Sequence, residues 1–322
     1  MSGTLRLGID IGGTKTAAAL VADDGRVHVM RSAPSGRGPD GVVDVAVRLA
    51  LDVCGETTAP VLSTGACMPG LVDPATGLVR HAVNLEVDRL ALGAELEARL
   101  GTAVAVENDV KAAALGAWRL RGAGGSGSSD ETMAYLNLGT GLASAVVRRG
   151  ELVRGIDGVA GEIGHLPIGG DAACACGQLG CLETVASGSA LARLWPESRR
   201  VHRDPFVAAA AGDLSAAAAV DVLCTGIGLA VQMLALASGA EHVVVGGGLA
   251  GLGAPLVSGV RADLSRRALS SPLVGALDLP ARVELLPADV PVAALGAAWL
   301  GEGRRHDARP AGVGADPMGM VG

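Results

Sequence analysis

Short apolar runs alternate with glycine-rich breaks at both ends of the first half of this chain. From Leu5 to Met30 the sequence LRLGIDIGGTKTAAALVADDGRVHVM predicts a strand ending in Gly-Gly-Thr, an Ala/Val-rich strand, a turn at Asp23-Asp24-Gly25 and a third strand. The same layout returns from Met133 to Gly155, MAYLNLGTGLASAVVRRGELVRG, with a Gly-Thr-Gly break and a turn at Arg148-Arg149-Gly150. A duplicated α/β domain, each copy opening with an antiparallel hairpin, is the simplest account.

Between the copies the period changes from two to about 3.6, the mark of a helix. AVRLALDVC (Ala46–Cys54) and LALGAELEARLG, ended by Gly101, read as helices, and PVLSTGACMPG (Pro60–Gly70) as a strand and loop. TAVAVEND (Thr102–Asp109) reads as a strand running into the helix VKAAALGAWRLRG. The run GAGGSGSSDE, Gly122 to Glu131, has the composition of a flexible connector. Ala-rich helices, the strand HVVVGGG, a helix near Leu256–Leu269 and a late helix at ALGAAWLG follow. Two α/β domains are expected, 1–121 and 122–301, with residues 292–301 packing back on the first. The Gly/Pro-rich tail 302–322 is expected to be disordered.

Composition narrows the function. The chain has 322 residues, one Phe, one Tyr and three Trp, so its core is aliphatic and base-stacking platforms are poorly supplied. A net charge of −7 opposes a phosphate-backbone partner, so no nucleic acid is expected. No apolar run reads as a membrane span and no leader pattern opens the chain, which points to a cytoplasmic protein away from membranes. Cys54, Cys67 and Cys224 stand singly among apolar neighbours, as small buried residues do.

Four stretches carry candidate chemistry. In Asp10-Ile11-Gly12-Gly13-Thr14-Lys15 an acid closes a strand, glycines admit a ligand close to the backbone, and Thr14 and Lys15 offer a hydroxyl and a cation. That suits a phosphate with Mg²⁺, although a tight turn alone would also use these glycines. Gly139-Thr140-Gly141 at the matching place favours two turns gripping phosphates from both sides. In Glu107-Asn108-Asp109, Asn and Asp are ordinary helix caps, yet a carboxylate at a helix N-terminus also suits Asp109 to take a proton from a substrate hydroxyl. Gly246, Gly248 and Gly251 satisfy GxGxxG, but Asp263 falls inside an apparent helix where a dinucleotide fold needs a strand end, so a glycine turn beneath an adenine ring is more economical. Cys174, Cys176 and Cys181, with His165 upstream, have the donor set of a closed tetrahedral zinc site, against the alternative of three free thiols. Such a zinc is structural. It would fix where Glu162 and Glu183 point, and held carboxylates accept well from sugar hydroxyls. His165 would bind the metal with one nitrogen and a substrate oxygen with the other.

DIGGTK, END, LGTG, GVAGEIGH and CACGQLGCLET follow one another in the order and spacing of the ROK family of sugar kinases and repressors, which the chain resembles from about Leu5 to Leu300. The resemblance implies an actin-like ATPase (ribonuclease H-like) fold, two duplicated α/β domains around a cleft, and a homodimer or higher homo-oligomer. It implies a glucokinase-like enzyme that moves the γ-phosphate of ATP to a hexose, glucose at the 6-hydroxyl first. N-acetylglucosamine, N-acetylmannosamine, a polyphosphate donor or a non-catalytic sugar sensor are the alternatives. Asp109 then resembles the catalytic base. Asn84, Asn108, Glu162, His165 and Glu183 resemble the sugar contacts. Asp10, Gly12, Gly13, Thr14 and Lys15 resemble one phosphate turn, Gly139, Thr140 and Gly141 the other. Gly247 and Gly248 resemble the nucleotide end, and zinc goes to His165, Cys174, Cys176 and Cys181. Family repressors carry a helix-turn-helix ahead of the first turn, and none is expected here. Leu85-Glu86-Val87-Asp88 stands where relatives often have a Trp, and Leu142-Ala143-Ser144-Ala145 where they continue in glycines.

Overall fold

The computed structural model describes residues 4–125, 127–199, 203–287 and 289–307, with side chains to residue 301. Strands β1 (Leu5–Ile11), β2 (Lys15–Ala22) and β3 (Val27–Pro34) form an antiparallel meander, as the alternation predicts. Helix α1 (Gly38–Cys54) starts earlier than its apolar pattern. β4 (Val61–Met68) pairs parallel to β1. β5 (Leu71–Asp73), β6 (Leu78–Ala82) and β7 (Val87–Leu90) build a small antiparallel sheet that the sequence pattern did not reveal. After α2 (Leu92–Leu100), ended by Gly101, β8 (Val104–Asn108) pairs parallel to β4 and runs directly into α3 (Asp109–Ala123).

The second half repeats this wiring. β9 (Thr132–Leu138), β10 (Leu142–Arg148) and β11 (Glu151–Val153) form the second meander. Short helices α4 (Gly188–Leu194) and α5 (Pro205–Ala210) precede the long α6 (Leu214–Ser238). β12 (His242–Gly246) adds parallel to β9. Then come α7 (Ala254–Ser270), α8 (Pro272–Gly275), α9 (Leu279–Arg282) and β13 (Val283–Leu285). The two large sheets have orders β3-β2-β1-β4-β8 and β11-β10-β9-β12-β13, the same order with the same strand senses. Two duplicated α/β domains are therefore visible in the topology itself.

α6 corrects one expectation. It is long and apolar enough to cross a membrane, but half of its most apolar window is buried in the protein, with Leu223, Ile227, Val231 and Leu234 in the core of the second half. That is the behaviour of a core helix. A second correction concerns the tail: the last helix, α10 (Val292–Asp307), extends through its first six residues, and 308–322 lie outside the described residues.

α10 holds the halves together. It lies on β1 and β4 of the first sheet and packs along α3. The contact is close because Gly116 and Gly296 face it. A Cβ on Gly116 would meet the Val292 carbonyl oxygen at 2.1 Å, and one on Gly296 the Ala112 oxygen at 1.7 Å. Val110, Ala113, Met133, Tyr135, Val244 and Val292 form one apolar cluster, joining α3 and α10 to the second sheet. Helices cannot part locally in such a core without forfeiting contacts.

Gly296→Ala is expected to cost about 2–3 kcal/mol by forcing the helices apart. Gly122→Ala, in open space near the end of α3, should instead stabilise by roughly 0.5–1 kcal/mol. Thermal melts of both variants check this; equal melting temperatures would contradict the packing argument.

Candidate active site

Parallel pairing aligns the strand ends that build the site. Register places Asp10 beside Cys67, and Cys67 beside Glu107, in one row across the first sheet. In the second sheet Asn137 lies beside Gly246. Between the halves opens a cleft of about 650 Å³ whose walls include Asp10, Gly12, Thr14, Lys15, Asp109 and Gly246 to Gly248.

The first glycine turn is closed by Gly12 N–H donating to the Lys15 carbonyl at 3.0 Å. Ser35, which the sequence reading missed, braces it: its hydroxyl donates to Gly12 O at 2.6 Å, and its N–H to Thr14 O at 3.1 Å. Only tertiary folding brings Ser35 there. The second turn is held by the start of α4, where Gly188 N–H donates to Gly139 O at 2.9 Å and Ser189 N–H to Thr140 O at 3.1 Å. Gly139, Thr140 and Gly141 are not part of the cleft wall around Asp10; Gly141 abuts Glu183 instead, whose Oε2 a Cβ there would meet at 2.7 Å.

Asn108 caps α3, its Oδ1 accepting from Val110 N–H at 3.0 Å and Lys111 N–H at 3.2 Å, while its Nδ2 donates to Gly70 O at 3.2 Å. Capping leaves Asp109 in the first turn, where the helix dipole favours an anion. Burial nevertheless raises the Asp109 pKa, and the charge of Glu162 adds to it; the Val110 N–H opposes. Asp10 is pushed up to about 6, first by burial and then by the charge of Asp109, against the Cys67 thiol and Lys15. Cys67 Sγ lies 3.6 Å from Asp10 Oδ1.

Tyr135, the chain's single tyrosine, was also missed. It is buried on β9 in the cleft wall, and burial followed by the charge of Asp109 raises its pKa. Gly246 has room only for hydrogen, since a Cβ would lie 2.1 Å from the Tyr135 Oη. Asn84 is exposed on the turn between β6 and β7, beside Gly13, at 3.3 Å from the place of its Cβ.

The cysteine loop is compact. The donor atoms of His165, Cys174, Cys176 and Cys181 all lie within 4.8 Å of one another. Cys176 and Cys181 Sγ are 3.6 Å apart, as are Cys174 Sγ and His165 Nδ1. A tetrahedron with Zn–S of about 2.3 Å and Zn–N of about 2.0 Å has edges of about 3.5–3.8 Å, so this donor set fits zinc. Glu183 touches the cluster, its Oε1 at 2.9 Å from Cys174 Sγ and 3.7 Å from His165 Nδ1. The three remaining cysteines are free, with Cys67 and Cys224 buried.

Comparison with known proteins shows the family and the fold. The model of the ROK family matches residues 6–303. A glucokinase of Halalkalibacterium halodurans is 31% identical over 93% of this chain and 96% of its own length. A ROK hexokinase of Thermus thermophilus superposes with a TM-score of 0.76 at 30% identity, over 94% of this chain and 99% of that one. A Streptomyces griseus ROK family glucokinase, solved with glucose and AMPPNP, gives 0.74 at 29% identity over 93% and 99%.

The raised Asp10 carries a stability prediction. Its anion costs stability above pH about 6 and nothing below the ordinary value of 3.8, where it is protonated in both states. Asp10→Asn is expected to stabilise the fold by up to roughly 3 kcal/mol at pH 8 and by little at pH 4. Melting curves at both pH values test this; a variant less stable at pH 8 would contradict it.

Proposed function

The chain belongs to the ROK family, and from that premise we propose that it is an ATP-dependent sugar kinase that phosphorylates a hexose, most directly glucose at its 6-hydroxyl. One observation carries the reading. Asp109, half-buried at the start of α3, shares a cleft with the Asp10–Lys15 turn and feels the charge of Glu162 from the cysteine-loop side. A hydroxyl held by that side thus meets a carboxylate and a phosphate at the same place.

On this reading the fold is the actin-like ATPase fold, with domains 1–121 and 122–301 and residues 292–301 returning to the first. Gly12, Gly13, Thr14 and Lys15 hold the terminal phosphates from one side, and Gly139, Thr140 and Gly141 from the other. Asp10 faces the Mg²⁺ that accompanies ATP. Gly247 and Gly248, the latter opening a 3₁₀ turn, approach the nucleotide closely because they carry no side chain. Asn84, Asn108, Glu162, His165 and Glu183 bind the sugar hydroxyls. Asp109 accepts the hydroxyl proton as the phosphoryl group transfers, a step in which positioning counts for more than base strength. Its raised pKa keeps it closer to the working pH than a free carboxylate.

His165, Cys174, Cys176 and Cys181 would hold a structural zinc, which supplies a cross-link and no activated water. His165 turns Nδ1 toward the cysteines, which leaves Nε2 for a sugar oxygen. Glu162 immediately precedes the 3₁₀ turn that carries His165, and Glu183 lies two residues after Cys181. Fixing the ligands therefore fixes both acids. We place the enzyme in the cytoplasm, where thiols stay reduced and able to bind metal, as a homodimer, which light scattering tests.

A coupled ADP-release assay across hexoses and N-acetylhexosamines should show turnover with glucose. Asp109→Ala should lower kcat by at least about 10²–10⁴-fold while sugar binding persists; near-normal turnover would refute the assigned base. Cys176→Ser should release zinc, measured by metal analysis, and raise the KM for sugar. Unchanged metal content and KM would detach the cluster from the sugar site.

A further inference from the structure

Glu107 has no part in the chemistry proposed above, yet it is 2% exposed. A carboxylate this deep is normally paired and hydrogen-bonded. Its Oε2 accepts from Arg154 Nε at 2.7 Å, and its Oε1 from the Asn108 N–H at 2.9 Å. The first bond crosses between halves: Glu107 ends the first sheet on β8, whereas Arg154 follows β11 of the second. Each partner leads in sequence into the site. Asn108 and Asp109 come directly after Glu107, and Arg154 opens the loop that ends at Glu162.

That loop has little else to hold it. Gly155, Gly158 and Gly161 all have positive φ, and Ile156 is fully exposed. Its described anchors are few. Ala160 N–H donates to Arg154 O at 3.1 Å and Glu162 N–H to Val159 O at 3.2 Å, and at its far end Gly161 O accepts from both the N–H and the hydroxyl of Ser144, at 2.8 and 2.9 Å. Gly158 sits against Val72 of the first half, whose carbonyl oxygen a Cβ would meet at 3.3 Å. Arg154 is therefore both the root of the loop and its ionic tie to the strand that presents Asp109.

We propose that the Glu107–Arg154 pair is a positioning device that sets the Glu162 loop in register with Asn108 and Asp109 across the cleft. It rests on the kinase reading for its kinetic consequence but not for its structural one. Neither Glu107 nor Arg154 is part of the cleft wall around Asp10 and Asp109. They act by fixing two elements that carry site residues: the backbone of Asn108 on one side and the segment leading to Glu162 on the other. The pair thus governs the sugar half of the site and leaves the phosphate turns, braced by Ser35 and by α4, to their own hydrogen bonds.

The test combines kinetics, melting and hydrogen exchange on Arg154→Ala, Arg154→Lys and Glu107→Gln. Losing a half-buried, charge-assisted hydrogen bond should raise the sugar KM about tenfold or more in Arg154→Ala, with the ATP KM changed less than about twofold. Arg154→Lys keeps the charge and should recover part of the loss. Amide exchange in residues 155–162 should speed up at least about tenfold, with the core strands unchanged. Should Arg154→Ala not fold, Glu107→Gln, which keeps an acceptor for the Asn108 N–H, carries the same expectations. Equal shifts in both KM values, or unchanged exchange in the loop, would overturn the proposal. If the native protein phosphorylates no sugar, the kinase reading fails, and the exchange result alone decides for or against the pair.

Discussion

Burial at the first sheet's strand ends raises the pKa of both Asp10 and Asp109, and the charge of Asp109 raises that of Asp10 further. Two nearby carboxylates in low dielectric resist ionising together unless positive charge is brought to them. The protein supplies some of it. The N-terminus of α3, the Val110 N–H, the Cys67 thiol and Lys15 all favour the anions. These donors do not offset the burial, since Asp10 still titrates near 6. A divalent cation arriving with a nucleotide polyphosphate is the natural partner for what is left. On the kinase reading proposed above, the same electrostatics would favour a metal–nucleotide complex in the cleft.

Everything around the pair fixes its geometry. Parallel register puts Asp10, Cys67 and Glu107 in a row. α10 covers that row, touching Cys67 through the Ala293 carbonyl at 3.7 Å, and is locked to α3 by the Gly116–Gly296 contact. α3 in turn presents Asp109. On the far side, the cysteine cluster lies in a loop with little regular structure, and Glu183 Oε1 accepts from its Cys174 Sγ at 2.9 Å. The site is thus assembled from two sheet ends and one compact cysteine loop, an arrangement suited to chemistry that depends on positioning.

Much of this was legible in the chain because it is local. Hairpins announce themselves by alternation and by turns such as Arg149-Gly150, both with positive φ. The Cys-x-Cys spacing and the Glu-Asn-Asp cap are short-range patterns with few physical meanings. What stayed hidden depends on distant partners. Ser35 reveals nothing until the fold sets it against Gly12, and Tyr135 looks like any strand residue until Gly246 makes room for its hydroxyl. Glu107 read as a neighbour of the base, and Arg154 as the end of a hairpin; their pairing across the halves has no sequence signature. The small sheet β5 to β7 was missed because its strands are too short for a period to show. α10 ran past its predicted end because helical pairing continued where composition suggested a tail.

If a metal–nucleotide complex relieves the cost of holding Asp10 and Asp109 ionised together, its binding must change the protonation of Asp10. Calorimetric titration of the protein with Mg²⁺ and a non-hydrolysable ATP analogue at pH 6, in buffers of different ionisation enthalpy, measures the protons exchanged on binding. The account predicts net release as Asp10 ionises, and loss of that release in Asp10→Asn. Binding heats independent of the buffer, or the same release from both proteins, would contradict it.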